Sequence, residues 1–101
     1  MPYDKIIELI AKATRIESGN EEELSKIYSD IEFYLGYVDD CDKKKLFIKL
    51  TNIRKHLRTN AQMGYIKEDE MLVEDKIYNK VMSIIEKFYE DKVEVADKSL
   101  N

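Results

Sequence analysis

With 101 residues, the chain has room for one domain and one modest core. Hydrophobic residues make up 44% of it and charged residues 38%, the latter well above the ~25% of an ordinary domain. Few glycines, one proline and a supply of Ile, Leu and Tyr exclude a disordered chain and favour helices with a solvated, charged surface. A single cysteine, Cys41, excludes an internal disulfide and a cysteine-based metal cluster. Met1-Pro2-Tyr3-Asp4-Lys5 does not begin a basic-then-apolar leader, and no apolar run approaches the ~20 residues of a membrane span. The expected setting is cytoplasmic and soluble.

The first predicted helix opens near Pro2 or Tyr3, since proline suits a first helical turn. Ile6, Leu9, Ile10, Ala13 and Ile16 follow at spacings of three and four, one apolar stripe. Ser18-Gly19-Asn20 is the expected stop, with Gly19 as the C-cap. Asn20 then starts a second helix, with Glu23 reaching back as in a capping box and Glu21 to Glu23 complementing the helix dipole. Its stripe is Leu24, Ile27, Tyr28, Ile31, Tyr34, Leu35 and Val38.

Gly36 and the cluster Asp39-Asp40-Cys41-Asp42 break that pattern, and Asp40 or Asp42 is the expected N-cap of a third helix. Leu46, Phe47, Leu50, Ile53, Leu57 and Ala61 supply its buried face, and Gly64 closes it. After Tyr65-Ile66-Lys67, Glu68-Asp69-Glu70 opens a fourth helix with the stripe Met71, Tyr78, Val81, Met82, Ile85, Phe88 and Tyr89. Beyond Asp91 the apolar spacing fails, so residues 92–101 read as a frayed tail behind a bundle spanning 1–91. Four helices on short loops predict an all-α, antiparallel four-helix bundle.

Charge is distributed unevenly. Lys43, Lys44, Lys45, Lys49, Arg54, Lys55 and Arg58 fall between residues 42 and 60 with only Asp42 opposing them, inside a chain of net charge −4. Such a helix could meet phosphate, an acidic protein surface or anionic lipid; the competing reading is a solvated face paired with acidic neighbours. A sequence pI near 5.1 speaks against general nucleic-acid binding. Tyr65, beside a helix end, joins these seven as a candidate partner contact, and Tyr37 is placed similarly.

The patterns that would signal chemistry are missing. The acidic clusters sit at helix starts, where the dipole alone attracts them, and the calcium-loop spacing is absent. His56 has Ile53 where a bundle di-metal motif needs glutamate, and Cys41 has only acidic neighbours and no catalytic partner. No phosphate loop, nucleophile elbow or zinc-protease motif occurs. The expectation is a non-enzymatic protein with no cofactor and no metal.

Leu24-Ser25-Lys26-Ile27-Tyr28-Ser29-Asp30-Ile31, Leu50-Thr51-Asn52-Ile53 and Gly64-Tyr65-Ile66-Lys67-Glu68-Asp69-Glu70 resemble, in order and spacing, the immunity proteins of class II bacteriocins, especially the pediocin-like group. The resemblance spans residues 5 to 90 and lies in spacing more than identity. It implies an antiparallel four-helix bundle in the cytoplasm of a bacteriocin producer, blocking a bacteriocin-engaged sugar transporter at the membrane. Specificity in that family rests largely on the C-terminal part, and the short polar segment from Lys92 to Asn101 departs from members with longer or more aromatic ends. The alternatives are a nucleic-acid-binding regulator using the basic helix, an acidic viral or plasmid-encoded inhibitor of a nucleic-acid enzyme, and a structural subunit.

Overall fold

The computed structural model describes residues 1–16 and 20–100, with side chains described through residue 88. Four helices follow one another: α1 (Pro2–Thr14), α2 (Glu21–Leu35), α3 (Asp40–Gln62) and α4 (Glu68–Leu100). No strand occurs among the described residues. The chain is the all-α four-helix bundle that its periodicity predicts.

Each helix starts and stops for local reasons. Pro2 occupies the first turn of α1, where a missing N–H costs nothing. The Thr14 hydroxyl donates to the Ala11 carbonyl, and the Arg15 and Ile16 N–H groups donate three residues back, so the helix tightens and ends before the expected stop. That stop at Ser18 and Gly19 lies outside the described residues. Asn20 caps α2 by accepting from the Glu23 N–H, as expected. The Glu23 carboxylate, however, accepts from the Asn20 side-chain amide at 2.8 Å, where the capping box would have it take the backbone N–H.

The cap of α3 is Asp39, which corrects the expectation of Asp40 or Asp42. Asp39 is extended (φ −73°, ψ 168°) and its Oδ1 accepts from the Asp42 N–H at 2.8 Å; Asp40 and Asp42 already lie in the first turn. At the far end, Gly64 adopts φ +81°. The Tyr65 N–H reaches the Asn60 carbonyl and the Gly64 N–H the Ala61 carbonyl, the paired bonds of a Schellman motif.

The core joins Ile6, Leu9, Ile10 and Ala13 of α1 to Ile27, Ile31 and Leu35 of α2, Leu46 and Leu50 of α3, and Ile77, Val81, Met82 and Ile85 of α4, with Val38 tucked in from the α2–α3 connection. Helix α1 packs on α2 and α3 on α4, while α4 also packs on both α1 and α2. The predicted stripes supply nearly all of this. Ile77 is the omission, although it sits four residues before Val81 on the same face. Tyr89, expected on the α4 stripe, and the tail at 92–101 have side chains outside the described set; the α4 backbone is helical through Leu100.

Helix length shapes the outline. At 1.5 Å per residue, α1 and α2 span roughly 20 Å, α3 roughly 34 Å and α4 roughly 50 Å, and the molecule measures 52 × 27 × 24 Å. The short α1–α2 pair covers only part of the long α3–α4 pair. Accordingly no residue from Arg58 to Lys76 is buried, and the turn end of the α3–α4 hairpin stands in solvent.

Candidate partner-binding surface

The seven basic residues of α3 separate into three groups once the helix is placed. Lys43 belongs to the interior: it shares the register of Leu46, Leu50 and Leu57 and is only 5% exposed. Its Nζ lies 3.7 Å from Asp40 Oδ1 and 5.0 Å above the Phe88 ring, so the charge meets an acid and an aromatic face while the aliphatic stem is buried. Extending the leucine stripe back one turn reaches position 43, a signal obscured by the residue's charge.

Arg54 faces α4. Its Nε and Nη2 donate to the two Asp75 carboxylate oxygens at 2.7 and 3.1 Å, and its Nη1 reaches Asn79 Oδ1 at 3.1 Å. The pair is largely enclosed, with side-chain exposures of 20% for Arg54 and 13% for Asp75. Hydrogen bonding from Arg54 holds the Asp75 carboxyl below its ordinary range, against burial, which acts the other way. Arg58, mostly exposed, adds a longer contact to Asp75 at 3.4 Å. Thus Arg54 is engaged in joining α3 to α4, and Arg58 only in part.

Lys44, Lys45, Lys49 and Lys55 make up the third group, all exposed on the outer face of α3. Lys45 Nζ stands 4.0 Å from Asp42; Lys44, Lys49 and Lys55 form no ion pair among the described residues. Half-exposed Ile48 lies between them, and Asn52 and His56 share the face. Toward the turn this face meets exposed Met63 and Tyr65, with Leu72 and Val73 exposed on α4. A groove of about 460 Å³ opens there between α3 and α4, lined by Ala61, Met71 and Leu72 with Arg58 and Asp75 at its side. Sequence reading missed Ile48, Met63, Leu72 and Val73 as surface residues. Ile48, Met63 and Leu72 lie off their helix stripes, and that displacement is the signal they carry; Val73 lies four residues before Ile77 and is exposed because it falls on the part of the hairpin that α1 and α2 leave uncovered.

The remaining candidates fall elsewhere. Glu21 to Glu23, Asp40 and Asp42, and Glu68 to Glu70 occupy first helical turns. Among the described residues no three His, Cys, Asp or Glu side chains come together to hold a metal ion. His56 and Cys41 are both exposed. Tyr28 and Tyr78 are half-buried against the core, and burial raises both phenols above their ordinary pKa. Among the described residues no helix is long and apolar enough to cross a membrane. Comparison with protein-family models, characterised proteins and solved structures found no match to this chain.

Proposed function

We propose that this chain is a non-enzymatic, cytoplasmic protein-binding module of the bacteriocin-immunity type, engaging its partner through the outer face of α3 and the α3–α4 turn. The observation behind this reading is the continuity of that surface. Exposed Lys44, Lys45, Lys49 and Lys55, with Ile48 between them, lead to exposed Met63 and Tyr65 on the part of the hairpin that α1 and α2 leave uncovered. Cations interleaved with apolar side chains suit an acidic protein surface with an apolar centre. A phosphate backbone is a poorer fit, because Lys43 and Arg54 are committed inside the bundle and the molecule is acidic overall. The immunity assignment itself rests on the resemblance in segment order and spacing.

An affinity capture from host lysate tests the proposal, with a Lys44→Glu, Lys45→Glu, Lys55→Glu triple variant as control. Recovery of a membrane sugar transporter when bacteriocin is present, lost in the variant while helicity is intact, is the expected result. Recovery of nucleic acid, or of a DNA- or RNA-handling enzyme, would overturn it in favour of a regulator or an inhibitor.

A further inference from the structure

The end of α2 carries a second surface unlike the first. Phe33 and Tyr37 are 60% and 68% exposed, with ring centroids 5.3 Å apart, and Phe33 meets Tyr34 edge-on at 5.4 Å. Single exposed apolar residues are ordinary, but a contiguous aromatic group outside the core marks a contact surface. On α2 its electrostatic setting is acidic. From Ile27 to the end of the helix there is no lysine or arginine, whereas Asp30 and Glu32 are acidic and form no ion pair among the described residues; Asp40 and Asp42, further on, are already paired with Lys43 and Lys45. Lys26 is the nearest cation on α2, about two turns before Phe33.

An aromatic and acidic surface is complementary to lysines set among aliphatic side chains, since cations are attracted both to carboxylates and to aromatic faces. This molecule makes such a contact internally, with Lys43 over Phe88 and beside Asp40. It also displays the complement outwardly, as Lys44, Ile48 and Lys49 on the first half of α3. Only residues 36–39 separate the end of α2 from the start of α3, so both surfaces lie at the same end of the bundle. We propose that the Phe33–Tyr37 surface receives the Lys44–Lys49 face of a second copy of this chain, the two copies pairing reciprocally about a two-fold axis. Each copy then supplies one patch and one lysine face, and the contact closes.

This pairing occupies the first half of α3, where it competes with the partner of the proposed function for Lys44 and Lys49, and leaves Lys55 and Tyr65 open. It does not depend on the immunity reading, because the purified full-length chain suffices to test it. Sedimentation velocity at about 0.05 M salt should show a concentration-dependent dimer. Its affinity should fall on the order of tenfold at about 0.5 M salt, where the Debye length is shorter. Phe33→Ser with Tyr37→Ser should weaken dimerisation about tenfold or more with helicity unchanged, since both rings lie outside the core. Asp30→Lys with Glu32→Lys, and separately Lys44→Glu with Lys49→Glu, should each lose the dimer, and the four changes in one chain should restore it. A monomer at low salt, open-ended growth, a dimer indifferent to the aromatic substitutions, or failure of the combined variant to regain association would each overturn the proposal.

Discussion

Removing the Asp75 carboxylate tests what holds the long hairpin together. Asp75 accepts from Arg54 through both oxygens and from Arg58 through one, so Asp75→Ala leaves the Arg54 guanidinium with Asn79 and the Met82 sulfur as its partners. A hydrogen bond to a charged group contributes about 1.5–3 kcal/mol. The two Arg54 bonds act as one bidentate unit and Arg58 is largely exposed, so these values do not add. The expected loss is about 2 kcal/mol, against a total of roughly 5–15 kcal/mol for a domain of this size. Urea unfolding followed by helicity measures it directly. The sign with pH is also fixed: a carboxyl whose pKa is lowered by folding contributes stability above its unfolded value near 3.9. That contribution disappears as pH falls through the folded value, so the variant should lose less stability than the parent below about pH 4. A loss under about 0.5 kcal/mol, or parallel acid profiles for parent and variant, would refute the assignment of this pair as the α3–α4 clasp.

Three further outcomes follow from individual side chains, each read by urea or thermal unfolding. Gly64→Ala should cost about 1 kcal/mol, because the φ of +81° places its Cβ in strain even though the surrounding space is open. Asp39→Ala should cost about 1 kcal/mol through loss of the α3 cap, whereas Asp40→Ala should cost less, which separates the observed cap from its neighbour. At position 43, Lys43→Met should change stability by less than about 1 kcal/mol, since an apolar side chain of similar reach fits the register. Lys43→Glu should instead cost about 3 kcal/mol or more by burying a carboxylate beside Asp40.

Most of the bundle was legible because burial in a helix is periodic and the stops are chemically marked. The stripes of α1 and α2 needed only counting, and Asn20 and Gly64 announced a start and an end. The errors lay where several residues could do one job. Asp39, Asp40 and Asp42 can all cap a helix, and the choice of Asp39 is made by which side chain reaches back to a free N–H once the chain has turned. Ile77 and Tyr78 are adjacent and both apolar enough to head the α4 stripe; the row 77, 81, 85 and 88 buries Ile77, while Tyr78 is only half-buried.

The candidate surface was less legible because charge states nothing about direction. Lysine and arginine have long apolar stems, so a cation can lie in the interior register and keep its head satisfied, as Lys43 and Arg54 do. Their sequence neighbours Lys44 and Lys55 point to solvent from the same helix. Apolar residues mislead in the opposite sense: Phe33 and Ile48 look like core by type, yet each sits off its stripe and is exposed. Hydrophobic type and helical phase therefore have to be read together. Where they agree, as at Leu46 and Leu50, the residue belongs to the fold. Where they disagree, as at Lys43, Phe33 and Ile48, phase decides where the side chain goes and type decides what it can meet there. For Lys43 the partner is Asp40 and the Phe88 ring; for Phe33 and Ile48 the partner proposed above is a second copy of this chain.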